Sequence, residues 1–280
     1  MWPTSFKCTF GGYPSNCEDS SIVIFGVPKY FSPSTIKPII EPVNLLRIYS
    51  YEVEDYSNIY NAFYSEVKAC DIGDIVVNDI NEIEIDISTI IHHCKKKRKI
   101  PVMLGGDHTF TYYTVKYLKP KTLIVLDAHL DLREKFYGEK FNHATFMRKV
   151  CEEGHVKKIY YIGVRAFSDE EMRYASKKKN IVMISDLEKM SWGNIESPVY
   201  LSLDLDVVDP VHMKLVATSE PLGIDPKKLF TLFRKISEIE IIGLDIMEFT
   251  PYTLDIPSII LAVKIIFEGL LTLWFSVKDS

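Results

Sequence analysis

Four stretches of this 280-residue chain place acids and histidines directly after short apolar runs. Pro-Val-Met-Leu leads into Gly105-Gly106-Asp107-His108, and Thr-Leu-Ile-Val-Leu into Asp127-Ala128-His129-Leu130-Asp131. Tyr-Leu-Ser-Leu leads into Asp204-Leu205-Asp206, followed by Asp209-Pro210, and Ile-Ile-Gly-Leu-Asp-Ile leads towards Glu248. In Asp127-x-His129-x-Asp131 the polar residues recur at every second position, so on an extended chain all three face one side. Asp204-x-Asp206 repeats the device. Carboxylates crowded on one surface repel each other strongly, and divalent cations would neutralise them.

The donor types narrow the metal. Carboxylate oxygens with imidazole nitrogens suit Mn²⁺, Zn²⁺, Fe²⁺ or Co²⁺; the lack of cysteine argues against structural zinc, and the histidines argue against Ca²⁺ or Mg²⁺. His108, Asp127, His129, Asp131, Asp204 and Asp206 are too many donors for one ion. They suit two ions sharing bridging carboxylates, which at about 3.5–4 Å apart would lower the pKa of a water between them. Each piece alone has a plainer explanation. Gly-Gly-Asp-His is an ordinary turn with Asp107 capping the next helix, and Asp-x-His-x-Asp can be a surface strand end. Their joint occurrence does not reduce to either.

Such residues need a scaffold that brings strand ends together. Apolar β-branched runs predict strands over 21–25, 74–77, 102–104, 122–126, 158–162, 181–184, 199–203 and 239–244. Several are continuous rather than alternating, as in parallel strands covered on both faces. Helical stretches fall between them, at 83–97, 109–117, 144–153, 169–177, 226–236 and 257–273. This alternation predicts a single α/β domain over 1–280, a doubly wound, mostly parallel sheet with helices on both faces. In such sheets sites form beyond the carboxyl ends of the strands, where the acid and histidine clusters would converge.

The first fifty residues, with Pro28, Pro33, Pro38 and Pro42, read as extended loops plus an edge strand, part of a site rim or a subunit contact. The apolar stretch from 256 to 277 is long enough for a membrane span. Lys264 and Glu268, one helical turn apart, are costly in lipid and suit the surface of a packed helix. A net charge of −5 gives no footprint for nucleic acid, and Lys95-Lys96-Lys97-Arg98 reads as a solvated helix end. Five cysteines without zinc spacing, and no secretion signal, point to a reduced, cytoplasmic protein, with a Cys8–Cys17 pairing left open.

The three metal motifs, in this order, resemble the ureohydrolase family of arginase, agmatinase and formimidoylglutamase, from about Gly26 to the C-terminal helix. The resemblance implies an arginase-like three-layer αβα fold and two Mn²⁺ per subunit. His108, Asp127, Asp131 and Asp204 would hold one ion, and His129, Asp127, Asp204 and Asp206 the other. Asn142-His143-Ala144-Thr145-Phe146 resembles the loop bearing the family's catalytic histidine, making His143 the proton shuttle. Glu248, in Met-Glu-Phe-Thr-Pro, resembles its guanidinium-binding glutamate.

The stretch Ala217-Thr218-Ser219-Glu220-Pro221-Leu222-Gly223 keeps the Glu-Pro of agmatinases but loses two glycines and a proline of their loop, and the resemblance makes Glu220 join His143 and Glu248 as a substrate contact. The implied reaction is agmatine and water to putrescine and urea. The alternative is a relative acting on arginine, guanidinobutyrate or another guanidino acid. More distant are a single-zinc deacetylase and a non-catalytic relative. The family's habit implies a trimer or hexamer, with no membrane and no nucleic acid as partner.

Overall fold

The computed structural model describes residues 8–32, 36–185, 187, 190 and 192–278, so Pro33 lies outside the described residues. Fifteen longer elements follow one another: β1 (Ile22–Val27), α1 (Pro42–Tyr49), β2 (Ala69–Asp74), α2 (Ile80–Lys97), β3 (Ile100–Gly105), α3 (Thr111–Leu118), β4 (Thr122–Leu126), α4 (Phe146–Glu152), β5 (Lys158–Ile162), α5 (Asp169–Ser176), β6 (Ile181–Ile184), β7 (Val199–Asp204), α6 (Pro226–Ile236), β8 (Ile241–Met247) and α7 (Ile256–Lys278). The strands form one sheet in the order β2-β1-β3-β8-β7-β4-β5-β6. Every paired neighbour is parallel.

Parallel strands need covering on both sides, and alternate residues of the same strands feed two separate cores. Ile24, Leu104, Leu126 and Leu203 pack with α1, α6 and α7, while Phe25, Met103, Val125 and Tyr200 pack with α2, α3 and α4. That is the three-layer αβα arrangement. α2 shows how a helix is fitted to its layer. Ile83, Ile87, Ile91 and Cys94 form its buried stripe, the Asp79 carboxylate caps its first turn, and Arg98 in the left-handed region ends it. The basic run is solvated at that helix end, as its composition predicts.

The long apolar helix α7 could cross a membrane by length and composition, with a mean hydropathy of 2.0, yet 72% of that window is buried within the protein. Glu268 is not on its surface: it lies buried and accepts hydrogen bonds from Ser57 Oγ (2.9 Å) and Tyr64 Oη (2.9 Å), while Lys264 is exposed. Two inward hydroxyls from the 57–64 segment satisfy an acid that sequence spacing alone puts outside.

Other expectations are corrected. Residues 22–27 are not an edge strand, because β1 lies between β2 and β3. The edge on that side is β2, and it precedes the predicted 74–77, since its polar Asp71 and Gly73 hide the pattern. Residues 42–49, expected as loop, form α1, with Pro42 in its first turn and Glu41 capping Val43 and Asn44. The chain is not fully reduced: Cys17 pairs with Cys70, and Cys8 is a free thiol. A partner 53 positions away becomes adjacent only once β2 has docked beside β1.

Candidate metal centre and substrate pocket

The four strands that lead into the acid and histidine clusters, β3, β8, β7 and β4, are consecutive neighbours at the centre of the sheet. Their carboxyl ends therefore discharge His108, Glu248, Asp204 with Asp206, and Asp127 into one crevice. The convergence does not arise from strand alternation. β4 stops at Leu126, the Asp127 carboxylate accepts the His129 N–H at 2.6 Å, and Asp131 turns back in the left-handed region at φ 53°. Asp206 likewise sits in a short 3-10 turn, its N–H bonded to Asp204 Oδ1 at 2.8 Å. Tight turns at strand ends, rather than extended chain, aim these side chains.

All six predicted donors meet. Around His108 Nδ1 lie Asp127 Oδ2 at 3.2 Å, Asp204 Oδ2 at 3.2 Å and Asp131 Oδ2 at 3.8 Å. Around His129 Nδ1 lie Asp206 Oδ2 at 2.7 Å and Asp127 Oδ1 at 3.6 Å. Asp127 thus turns one oxygen to each group. Close as they are, His108 Nδ1 and Asp127 Oδ2 are buried without a hydrogen bond of good geometry to any atom among the described residues. Orphaned buried donors and acceptors are costly, and a cation between them removes the cost, so the site fits the two-ion reading.

The protonation pattern agrees. Burial and the neighbouring carboxylates hold Asp131 and Asp204 well above the usual carboxylate range. Burial would lower His129, but its hydrogen bonds to Asp127 and Asp206, with their charges, push it up to about 12.

The His108 ring is held from behind. His108 Nε2 lies 2.9 Å from Ser202 Oγ, which donates to Asp245 Oδ1 at 2.6 Å. Asp245, fully buried, also accepts from Tyr200 and Thr111. This relay would leave Nδ1 free to hold a metal ion. Ser202→Ala is expected to weaken divalent-metal binding by about 10–100-fold while leaving the fold intact; titration of the metal-free variant with Mn²⁺ checks it. Neither Ser202 nor Asp245 belongs to the six donors, and their partnership rests on the register of β7 and β8.

A cavity of about 270 Å³ opens over the centre, lined by Glu248, His143 and Glu220 among others. Glu248 follows β8 in a left-handed conformation, φ 63°, which is uncommon for a residue with a side chain and is expected at a site. Its Oε1 accepts the His108 N–H at 2.8 Å. Burial, then the charge of Asp107, raise it to about 8. His143 stands edge-on to Phe136 at 5.4 Å and is anchored by its N–H to Ser32 Oγ at 2.9 Å. Burial lowers its pKa below the ordinary histidine range. Glu220 Oε1 lies 3.9 Å from His129 Nε2.

The irregular N-terminal region contributes to the rim through Tyr30, Ser32 and Lys37, so one of its two expected roles is met. His92, His93, His155 and His212 lie outside the pocket lining, as ordinary residues would.

A three-layer parallel α/β protein with paired acid–histidine groups at its central strand ends is a metal-centre hydrolase in architecture. The chain belongs to the arginase family, the ureohydrolases, whose model matches residues 21–272. It is 34% identical over 260 residues to an uncharacterised protein of Methanothermus fervidus, covering 88% of this chain and 90% of that one. It is 32% identical over 265 residues to an agmatinase of Pyrococcus horikoshii, covering 89% and 91%. The crystal structure of the agmatine ureohydrolase of Thermoplasma volcanium superposes with a TM-score of 0.84 at 25% identity, covering 99% of this chain and 97% of that one.

Proposed function

We propose that this chain hydrolyses agmatine to putrescine and urea with two Mn²⁺ per subunit, His108, Asp127, Asp131 and Asp204 holding one and His129, Asp127, Asp204 and Asp206 the other. The observation that carries the reading is the unpartnered pair His108 Nδ1 and Asp127 Oδ2 at the floor of a pocket that also holds Glu248 and His143. The similarity to agmatinases supports the substrate. Bound divalent cations supply Lewis acidity and a water acidified to near neutral pH.

The chain's own groups do the rest. Glu248 keeps Oε1 on the His108 N–H and offers its remaining acceptor capacity to a planar guanidinium, fixing that carbon above the centre. His143, neutral near pH 7, can accept the proton that the attacking water gives up and hand it to the departing amine as the carbon–nitrogen bond breaks. Glu220, half-buried in the pocket wall, suits the distal ammonium. We infer further a cytoplasmic homo-oligomer, a trimer or hexamer, folded as one domain and serving polyamine biosynthesis.

The test is urea release across a guanidine panel, with Mn²⁺ and with chelator. Agmatine is expected to lead, and chelation to silence the reaction. No urea from any guanidine with Mn²⁺ bound would end the reading. One observation favours the runner-up: Lys37 and Arg133 also line the cavity, and a carboxylate-bearing guanidino acid would pair with them. Preference for such a compound decides in its favour.

A further inference from the structure

Arg165 follows β5 and belongs to none of the metal motifs, yet it joins three segments of the site. Its own N–H and that of Ala166 both donate to Ala128 O at 2.9 Å, on the turn between Asp127 and His129. Its Nη2 donates to Asp206 O and Glu220 O, both at 2.7 Å, and its Nε to Pro221 O at 2.9 Å. Nη1 donates to Gly163 O at 3.0 Å and Val207 O at 3.4 Å. One guanidinium thus closes on five main-chain carbonyls, a task its planar fork of donors suits and a lysine's point charge does not.

The seam around it is closely packed. At Gly163, φ 94°, a Cβ would come within 2.4 Å of Val207 Cγ2, and at Gly223 within 2.4 Å of Asp209 N. Asp209 fastens the same loop, accepting the Gly223 N–H at 2.9 Å. The Asp209-Pro210 part of the third motif therefore serves the loop and not the ions. Gly223, the single glycine of the 217–223 stretch, is a position where a side chain has no room.

His129 stands between the two segments that Arg165 holds. Its Nδ1 faces Asp206 Oδ2 at 2.7 Å and its Nε2 faces Glu220 Oε1 at 3.9 Å. The other group, around His108, has a separate support in Ser202 and Asp245. We propose that Arg165 is a positioning residue that fixes Asp206 and Glu220 on either side of His129, so that it preorganises this half of the metal centre more than the His108 half, which shares Asp127 with it but has its own support. The proposal rests on the two-ion reading above.

The experiment is Mn²⁺ titration of metal-free full-length protein by calorimetry, for the wild type, Arg165→Met and Arg165→Lys, with thermal unfolding of the metal-free forms alongside. The wild type is expected to take two Mn²⁺. Arg165→Met is expected to keep one site within a few-fold of the wild type and to lose about 10–100-fold affinity at the other, the usual size for an outer residue that orients a ligand. Arg165→Lys retains the charge without the fork and is expected to show the same one-sided loss, smaller in size. It carries the test should the methionine variant not fold. Two unchanged sites, or two equally weakened, in a folded variant would overturn the proposal alone. A wild type that binds fewer than two Mn²⁺ would remove the two-ion reading, and the proposal with it.

Discussion

Asp127→Asn is expected to lower urea release by at least about 10³-fold, the rate equivalent of losing the several kcal/mol that metal-ion catalysis supplies. Asp127 is the carboxylate that faces both halves of the centre, with Oδ2 at 3.2 Å from His108 Nδ1 and Oδ1 at 3.6 Å from His129 Nδ1. Asparagine keeps the shape and can still accept the His129 N–H. It removes the negative charge and replaces one of the two oxygens by a donor, which turns a shared ligand into a mismatch for one ion. Metal analysis should show fewer than two Mn²⁺ per chain, with the circular dichroism unchanged. A variant with two ions bound and activity within tenfold of the wild type would remove Asp127 from the centre.

The parts of this centre that sequence reveals are those whose signal is local. Apolar runs locate β4, β5 and β6 to the residue, because each run is bounded at both ends by a charged, polar or glycine residue: Lys121 and Asp127, Lys157 and Gly163, Asn180 and Ser185. Acids and histidines stand out at the ends of such runs because a strand end has no structural need for them. The same reasoning misjudges how they converge. Asp131 and Glu248 adopt left-handed backbone that side-chain spacing cannot forecast, and the grouping follows from turns and from strand order.

What sequence leaves dark depends on pairing across distance. Asp245 reads as one more residue of a strand until the register of β7 and β8 sets it beside Ser202. Arg165 is an ordinary basic residue after β5 until the 205–207 turn and the 220–221 loop close around it. Glu268 looks solvated because its partners, Ser57 and Tyr64, lie about two hundred positions away in sequence. The Cys17–Cys70 bond and the buried Arg47, which pairs with Asp71 and Asp74 under the edge strand, share that cause. α1 was hidden by Pro42, which breaks a helix in its interior and suits its first turn.

Glu248→Gln is expected to cut kcat/KM for a guanidinium substrate by about 10²–10³-fold, matching the loss of roughly 3–4 kcal/mol of charge-assisted hydrogen bonding. The glutamine still accepts the His108 N–H, so the loss reports on the substrate rather than on the backbone at His108. The pH dependence identifies the group. Burial first, and then the negative Asp107, raise the Glu248 carboxyl to about 8. Below that pH the carboxyl carries a proton, has no charge to pair with the guanidinium and must lose that proton before it binds.

KM is therefore expected to rise as pH falls through about 8, less steeply once cations in the centre stabilise the carboxylate. At saturation kcat should change less, because the bound guanidinium holds Glu248 ionised. His143 cannot produce this limb: burial lowers its pKa, so it stays neutral through the same range and gains its proton only at more acid pH. Steady-state kinetics from pH 6 to 9 separate the two. In Glu248→Gln the KM limb should disappear while any acid limb in kcat persists. A limb of unchanged position and height in that variant would assign it to another group and leave Glu248 without a role in holding the substrate.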